Sequence, residues 1–196
     1  MSLSIDSRAL GLVLGAGAAV TTGSAATNWG LKGAFRGKGW LHARSHLVAV
    51  VGMGLFLIGW GLAMVSFGID IPKANGDVTV QVVTLVMAGA IIVGTGLLLR
   101  QRMELQHDIG WFITGLILYI AGWFVEAAFL SMRTTEVTSF DGTKAAFAFP
   151  GAVIVLLSTL WLMPSQRKSQ DVDGPSYSLY AFGWALVALG HAIKKP

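Results

Sequence analysis

The chain has 196 residues, of which 54% are hydrophobic and only 12% charged, with a net charge of +4 and no cysteine. A soluble domain carries about a quarter of its residues as charges, and a fold of this size has too little interior to hide this much apolar surface, so the surplus must face lipid. The absence of cysteine excludes disulfides, thiolate metal sites and a cysteine nucleophile.

Six apolar segments follow in order, at 9–28, 46–69, 80–99, 109–132, 145–163 and 177–193. Each is close to the roughly 20 residues that a helix needs to cross a bilayer. The runs are continuous rather than alternating, so strands are not expected, since an open sheet cannot exist in lipid. The expected fold is an all-α polytopic membrane bundle of six transmembrane helices, forming a single transmembrane domain over 1–196. The first segment resembles a signal peptide, with Arg8 ahead of an apolar run. It is nevertheless expected to be retained, because the repeat described below needs it. Thr21, Thr22, Ser24 and Thr27 make it the most polar span and predict an interior place. Its "GAGAAVTTGSAAT" lacks the Gly-Lys-Ser/Thr ending of a phosphate loop. The basic connection from Lys32 to Arg44 suits anionic headgroups, or simply fixes topology. In the fifth segment, Pro150 is expected in the first turn, where no intrahelical N–H is needed.

The second, fourth and sixth segments share an aromatic-x-x-Gly-Trp string: "FLIGW" (Phe56, Gly59, Trp60), "YIAGW" (Tyr119, Gly122, Trp123) and "YAFGW" (Tyr180, Gly183, Trp184). With the tryptophans in register, Gly52, Gly115 and Ser176 stand eight positions earlier, and Ser66, Phe129 and Gly190 six later. Small residues seven apart fall on one helical stripe, drifting only about 20° per heptad. In lipid, such stripes let backbones approach closely. The first helices echo one another as well, "GAIIV" at 89–93 and "GAVIV" at 151–155 above all, with "GAAV" at 17–20 a looser match. The expectation is three helical-hairpin repeats, about 9–70, 80–133 and 145–193, packed through their glycine stripes. The three tryptophans sit mid-span, where each indole N–H needs an acceptor. Trp29, Trp40, Trp111 and Trp161 lie nearer helix ends and suit an interfacial belt. Mitochondrial carriers and HdeD-like membrane proteins are similar in layout, with three hairpins each. The carriers' Pro-x-Asp/Glu-x-x-Lys/Arg signature is absent here, and no site residue is carried over from either family.

Glu126 is the leading candidate for chemistry. It occupies the position that holds Ala63 and Val187 in the other two units. At about 100° per residue it falls between the small-residue and aromatic stripes, turned toward other helices. A central acidic residue costs about 2.5–3.5 kcal/mol on insertion scales, so it is expected to be neutral, paired or hydrated. His191 projects onto the equivalent face of the third unit, about one turn nearer the exterior. A Glu126–His191 contact is open to it if helices four and six are neighbours, but the expectation is a histidine at the membrane boundary, hydrogen-bonded to headgroups or water. His42, His46 and His107, just before helices two and four, are weaker candidates. With Asp108 they suit a metal, or His46 and His107 a haem iron. Six helices with several histidines resemble di-haem cytochrome b561 proteins, but the haem histidines of that family lie within spans. No cofactor is expected.

The first, third and fifth connections hold eight cations and the opposite side six, which places both termini outside by the positive-inside rule. No Ser-His-Asp arrangement, HExxH motif or pair of intramembrane acids is present, so an enzyme is not expected. Two function classes remain. One is a small conduit or carrier for protons, cations or another small solute, with Glu126 as the buried ionisable group and the polar first helix lining the route. The other is a non-catalytic accessory or scaffold subunit of a membrane complex. A haem, quinone or pigment binder is a third reading, prompted by seven tryptophans. The expected partners are the lipid bilayer and other membrane proteins, a second copy of the chain included, and not nucleic acid.

Overall fold

A computed structural model describes residues 4–36, 40–70, 78–102, 109–131, 141–162 and 173–194. These form six helices, α1 (Ser7–Arg36), α2 (Trp40–Asp70), α3 (Val78–Arg102), α4 (Ile109–Leu130), α5 (Gly142–Leu162) and α6 (Asp173–Ala192). Two short strands, β1 (Ser4–Ile5) and β2 (Ile193–Lys194), pair antiparallel and join the two ends of the chain. Four helices contain stretches long and apolar enough to cross a membrane: Ser7–Gly30, Arg44–Ala63, Ile109–Ala128 and Gly142–Thr159. The described side chains of α3 add a shorter apolar run, Leu85–Leu98. The outer faces carry large apolar side chains such as Leu47, Val50, Ile58 and Ile117, each more than half exposed, as an integral membrane protein requires.

Helix starts follow from local chemistry. Asp6 caps α1, its Oδ1 accepting from the N–H groups of Arg8 (2.9 Å) and Ala9 (3.1 Å). Asp141 caps α5 in the same way, accepting from Thr143 (2.8 Å) and Lys144 (3.4 Å). The N–H of each capping residue donates to the end of the preceding even-numbered helix in the ring, Asp6 to Ala192 O at 2.9 Å and Asp141 to Ser131 O at 2.8 Å. These acceptors sit at equivalent places, eight residues after Trp184 and Trp123. Asp77, immediately before α3, lies outside the described residues.

Three expectations need correction. The basic stretch read as a connection is largely helical, since α1 runs on to Arg36 and α2 begins at Trp40. Its Leu, Ala, Lys and Arg residues are good helix formers once beyond the hydrocarbon. His42 and His46 therefore lie inside α2 rather than before it. Pro150 is the ninth residue of α5, past the first turn, so the Ala146 carbonyl loses its intrahelical donor. Pro150 is exposed on the outer face, where local adjustment of the helix is tolerated.

α1 packs closely on α2, α3 on α4, and α5 on α6, and each odd-numbered helix also touches the even-numbered helix before it in the ring: α3 on α2, α5 on α4, α1 on α6. Glycines set the close approach within each pair. A Cβ on Gly59 would meet Val20 and the Ala16 carbonyl, on Gly122 it would meet Ile91 and the Met87 carbonyl, and on Gly183 it would meet Val155 and the Gly151 carbonyl, all within 3.1 Å. Val20, Ile91 and Val155 are thus the residues at matching height. The interval from Ile91 to Val155, 64 residues, departs from the 62 implied by matching "GAIIV" to "GAVIV". Gly89 accordingly has open space around it while Gly151 is packed against α6. Short Gly-Ala-β-branched strings recur in apolar helices; what the packing keeps is the phase of the small residue facing the tryptophan helix.

Candidate functional site

The even-numbered helices bring their tryptophans together at the centre. The Trp60, Trp123 and Trp184 rings stand 5.2–5.6 Å apart, pairwise tilted or edge-to-face at 54–78°, and all three are fully buried. Such arrangements suit the ring quadrupoles and fill the axis with side chains. The polar first helix was expected to line that axis. Instead α1 lies outside the indole layer, packed on α2 and α6, with Gly17 against the Cβ of Trp184.

The expected acceptors for the indoles are not made: no Nε1 of the three has a hydrogen bond of normal geometry. The Tyr119 and Tyr180 hydroxyls belong to residues one turn before Trp123 and Trp184 on the same helices. Trp60 has Phe56 in the corresponding place and no hydroxyl there.

One turn further toward the chain termini comes a layer of Ala63, Glu126 and Val187, each at most 1% exposed. Both carboxyl oxygens of Glu126 lack a hydrogen-bond partner. A buried polar group without a partner is costly in any protein, and more so at membrane depth. The position needs no acid for packing, because Ala and Val fill it in the other two helices.

Beyond Glu126 the termini end of the bundle is polar. Ser66 Oγ and His191 Nε2 meet at 3.3 Å, both buried. Glu126 makes no hydrogen bond to His191, and the reason is height. Glu126 follows its tryptophan by three residues and His191 by seven, a difference of about 6 Å along the axis. Ser66 follows Trp60 by six and is level with the histidine. Sequence reasoning took Ser66 only as a small stripe residue. Ser131, Asp141 and Lys144 are also buried at this end, and an Asp6–Lys194 ion pair closes it at the surface. Lys194 and the α1 N–H groups hold the Asp6 carboxyl at about 2, well below the ordinary 3.8.

On the other side of the indoles lies a hydroxyl cluster that sequence reasoning missed. The Tyr119 hydroxyl and Thr159 Oγ1 are 2.6 Å apart, and Asn28 Nδ2 donates to Tyr177 at 2.8 Å. The signal was present: two of the three aromatic-x-x-Gly-Trp strings begin with Tyr where Phe would pack as well.

Of the weaker candidates, His46 is exposed on α2 and His107 lies outside the described residues. Among the described residues no group of three or more His, Cys, Asp or Glu is placed to hold a metal. Trp29 and Trp111 are more than half exposed, as an interfacial belt expects.

Fold and site together define a class: a helical protein with membrane-crossing helices and one unpartnered acid buried beside an aromatic layer. No family model, no curated protein and no solved structure matches the chain.

Proposed function

We propose that this chain is a small proton-handling membrane carrier, built from three helical-hairpin repeats with six spans, in which Glu126 takes up and releases a proton. The observation that carries this reading is the carboxyl of Glu126, wholly buried with both oxygens unpartnered. A structural acid at that depth would be tied to a donor. One left untied needs a mobile partner, and a proton is the partner that fits without a cavity. The buried polar groups at the termini end, Ser66 and His191 first, support access from that side. The indoles across the axis argue against an open pore and for uptake and release at a gated site. The matching layers Phe56/Tyr119/Tyr180, Trp60/Trp123/Trp184 and Ala63/Glu126/Val187 support the repeat.

The test is proton flux into vesicles reconstituted with the purified protein, read by an internal pH dye under an imposed gradient. Glu126→Gln keeps shape and removes the titratable group, and flux is expected to fall to the level of empty vesicles. Unchanged flux with a monodisperse, folded variant refutes the reading. The dense indole core favours the second reading, a scaffold subunit; stoichiometric co-purification of a membrane partner from mild detergent, with no flux in the wild type, would establish it.

A further inference from the structure

We propose that the outer end of the α1–α2 hairpin binds anionic phospholipid, with Lys32, Arg36 and Arg44 taking the headgroup phosphate and Trp29 and Leu47 meeting the lipid below it. This inference stands apart from the proton-handling reading of Glu126 and rests on different residues.

The distribution of charge points to it first. Between Asp6 and Asp70 the sequence has no acidic residue, and Lys32, Arg36, Lys38 and Arg44 fall together in that interval. The other two connections expected on this side are balanced. Arg100 and Arg102 stand with Glu104 and Asp108, and Arg167 and Lys168 stand with Asp171 and Asp173. Membrane topology counts lysine and arginine and is nearly indifferent to acids. It therefore accounts for cations in all three connections, but not for a single corner that excludes carboxylates. Affinity for an anion does require that exclusion, because a neighbouring carboxylate weakens the field.

Height points the same way. A Cβ on Gly23 would meet Phe56 N and the Gly52 carbonyl, and one on Gly30 would meet Ala49 N and the Ser45 carbonyl. Gly23 is thus level with Gly54 and Gly30 with Leu47, one residue back on α2 for each residue forward on α1. Trp29 is then level with Val48, twelve residues before Trp60, and Trp111 is twelve residues before Trp123. Both stand about 18 Å from the central indoles at 1.5 Å per residue, just beyond the roughly 15 Å half-thickness of a hydrocarbon core. Trp29 is 56% and Trp111 51% exposed, so the two mark one boundary. At that boundary α4 begins only two residues before Trp111, whereas α1 continues as helix for seven residues past Trp29.

The continuation carries the cations. Lys32 is level with Ser45, so Lys32 and Arg44 stand at nearly one height, about 5 Å beyond Trp29. Arg36 follows one turn further out, and Trp29, Lys32 and Arg36 fall on one stripe of α1. Arg44 is exposed on α2, and Leu47, one turn nearer the hydrocarbon, is 64% exposed. Lys38 lies outside the described residues. From the hydrocarbon outward the order is apolar side chain, tryptophan, then two tiers of cation. A phospholipid presents its chains, glycerol and phosphate in the same order. The close packing of Gly30 on Ser45 and Ala49 holds the two helices together up to the first tier, so these heights are fixed before lipid arrives.

The test uses the full chain in mild detergent with mixed phosphatidylglycerol and phosphatidylcholine, and native mass spectrometry counts the lipids retained. The wild type should retain phosphatidylglycerol preferentially. Lys32→Gln with Arg36→Gln and Arg44→Gln should lower that preference at least about ten-fold, since each cation near an anionic surface is worth about five-fold. Should the triple variant fail to fold, Arg44→Gln alone carries the test, with an expected loss of about five-fold. Arg100→Gln with Arg102→Gln, from a balanced connection, is the control and should stay within about two-fold of the wild type. Orientation in vesicles is read by maleimide labelling of one introduced cysteine, which the cysteine-free chain permits. Unchanged retention in the triple variant, or an equal loss in the control, overturns the site. An inverted orientation with retention unchanged also overturns it and leaves the cations to topology alone. Displacement of phosphatidylglycerol by millimolar inorganic phosphate overturns the lipid assignment in favour of free phosphate.

Discussion

Gly23 offers the sharpest test of how these helices hold together. A Cβ at this position of α1 would stand 2.4 Å from Phe56 N, 2.6 Å from the Gly52 carbonyl oxygen and 2.9 Å from Phe56 Cα. All three atoms are α2 backbone, so no rotamer change relieves the clash. Ordinary contact is about 3.5–4.0 Å, and the two axes would have to part by about 1 Å. A gap of that size forfeits roughly a quarter to a half of each dispersion contact along the seam. Overpacking costs about 1–3 kcal/mol in general, and a rigid backbone partner places this case at the upper end. Alanine returns at most about 1 kcal/mol in helix propensity. The net expectation for Gly23→Ala is a loss of about 2 kcal/mol. Gly54 is the control: it lies on α2 with nothing within 4 Å of its Cβ position, and Gly54→Ala should be neutral or stabilising by up to about 1 kcal/mol. Thermal unfolding of monodisperse protein in mild detergent, followed by near-UV signals of the indoles, reads the difference. Equal stability of the two variants would refute glycine-mediated close approach as the source of cohesion.

Other outcomes follow from single sites. Asp6→Ala removes the α1 cap and the Lys194 ion pair and should cost about 1 kcal/mol at neutral pH. Because the folded Asp6 carboxyl sits at about 2 rather than 3.8, its stabilisation is present above about pH 4 and lost as pH falls through that window. The wild type and Asp6→Ala should therefore converge in an acid stability titration; a constant gap down to about pH 2 would contradict the assignment. Pro150→Ala restores an N–H for the Ala146 carbonyl and removes a ring clash. It should raise stability by about 1 kcal/mol or more, against a general proline cost of about 3; melting curves without a gain would contradict this. The loss of flux in Glu126→Gln completes the set.

The sequence by itself determined the faces. Aromatic-x-x-Gly-Trp and the small residues seven apart depend only on helical periodicity, so the inward tryptophans, the glycine contacts and the burial of Glu126 were all legible in the order of residues alone. The tertiary structure decided heights and neighbours. His191 was matched to Glu126 because both lie on equivalent faces, but a face says nothing of level, and Ser66 is the residue that docking brings to the histidine. "GAIIV" and "GAVIV" look alike, yet the backbones settle two residues out of that register, because close approach is governed by which small residue opposes the partner helix. The hydroxyl contacts join α4 to α5 and α1 to α6, and their members become neighbours only when separate helix pairs dock. Periodicity is a property of one helix, whereas a site made between helices depends on how far each slides along its neighbour, which local sequence does not encode.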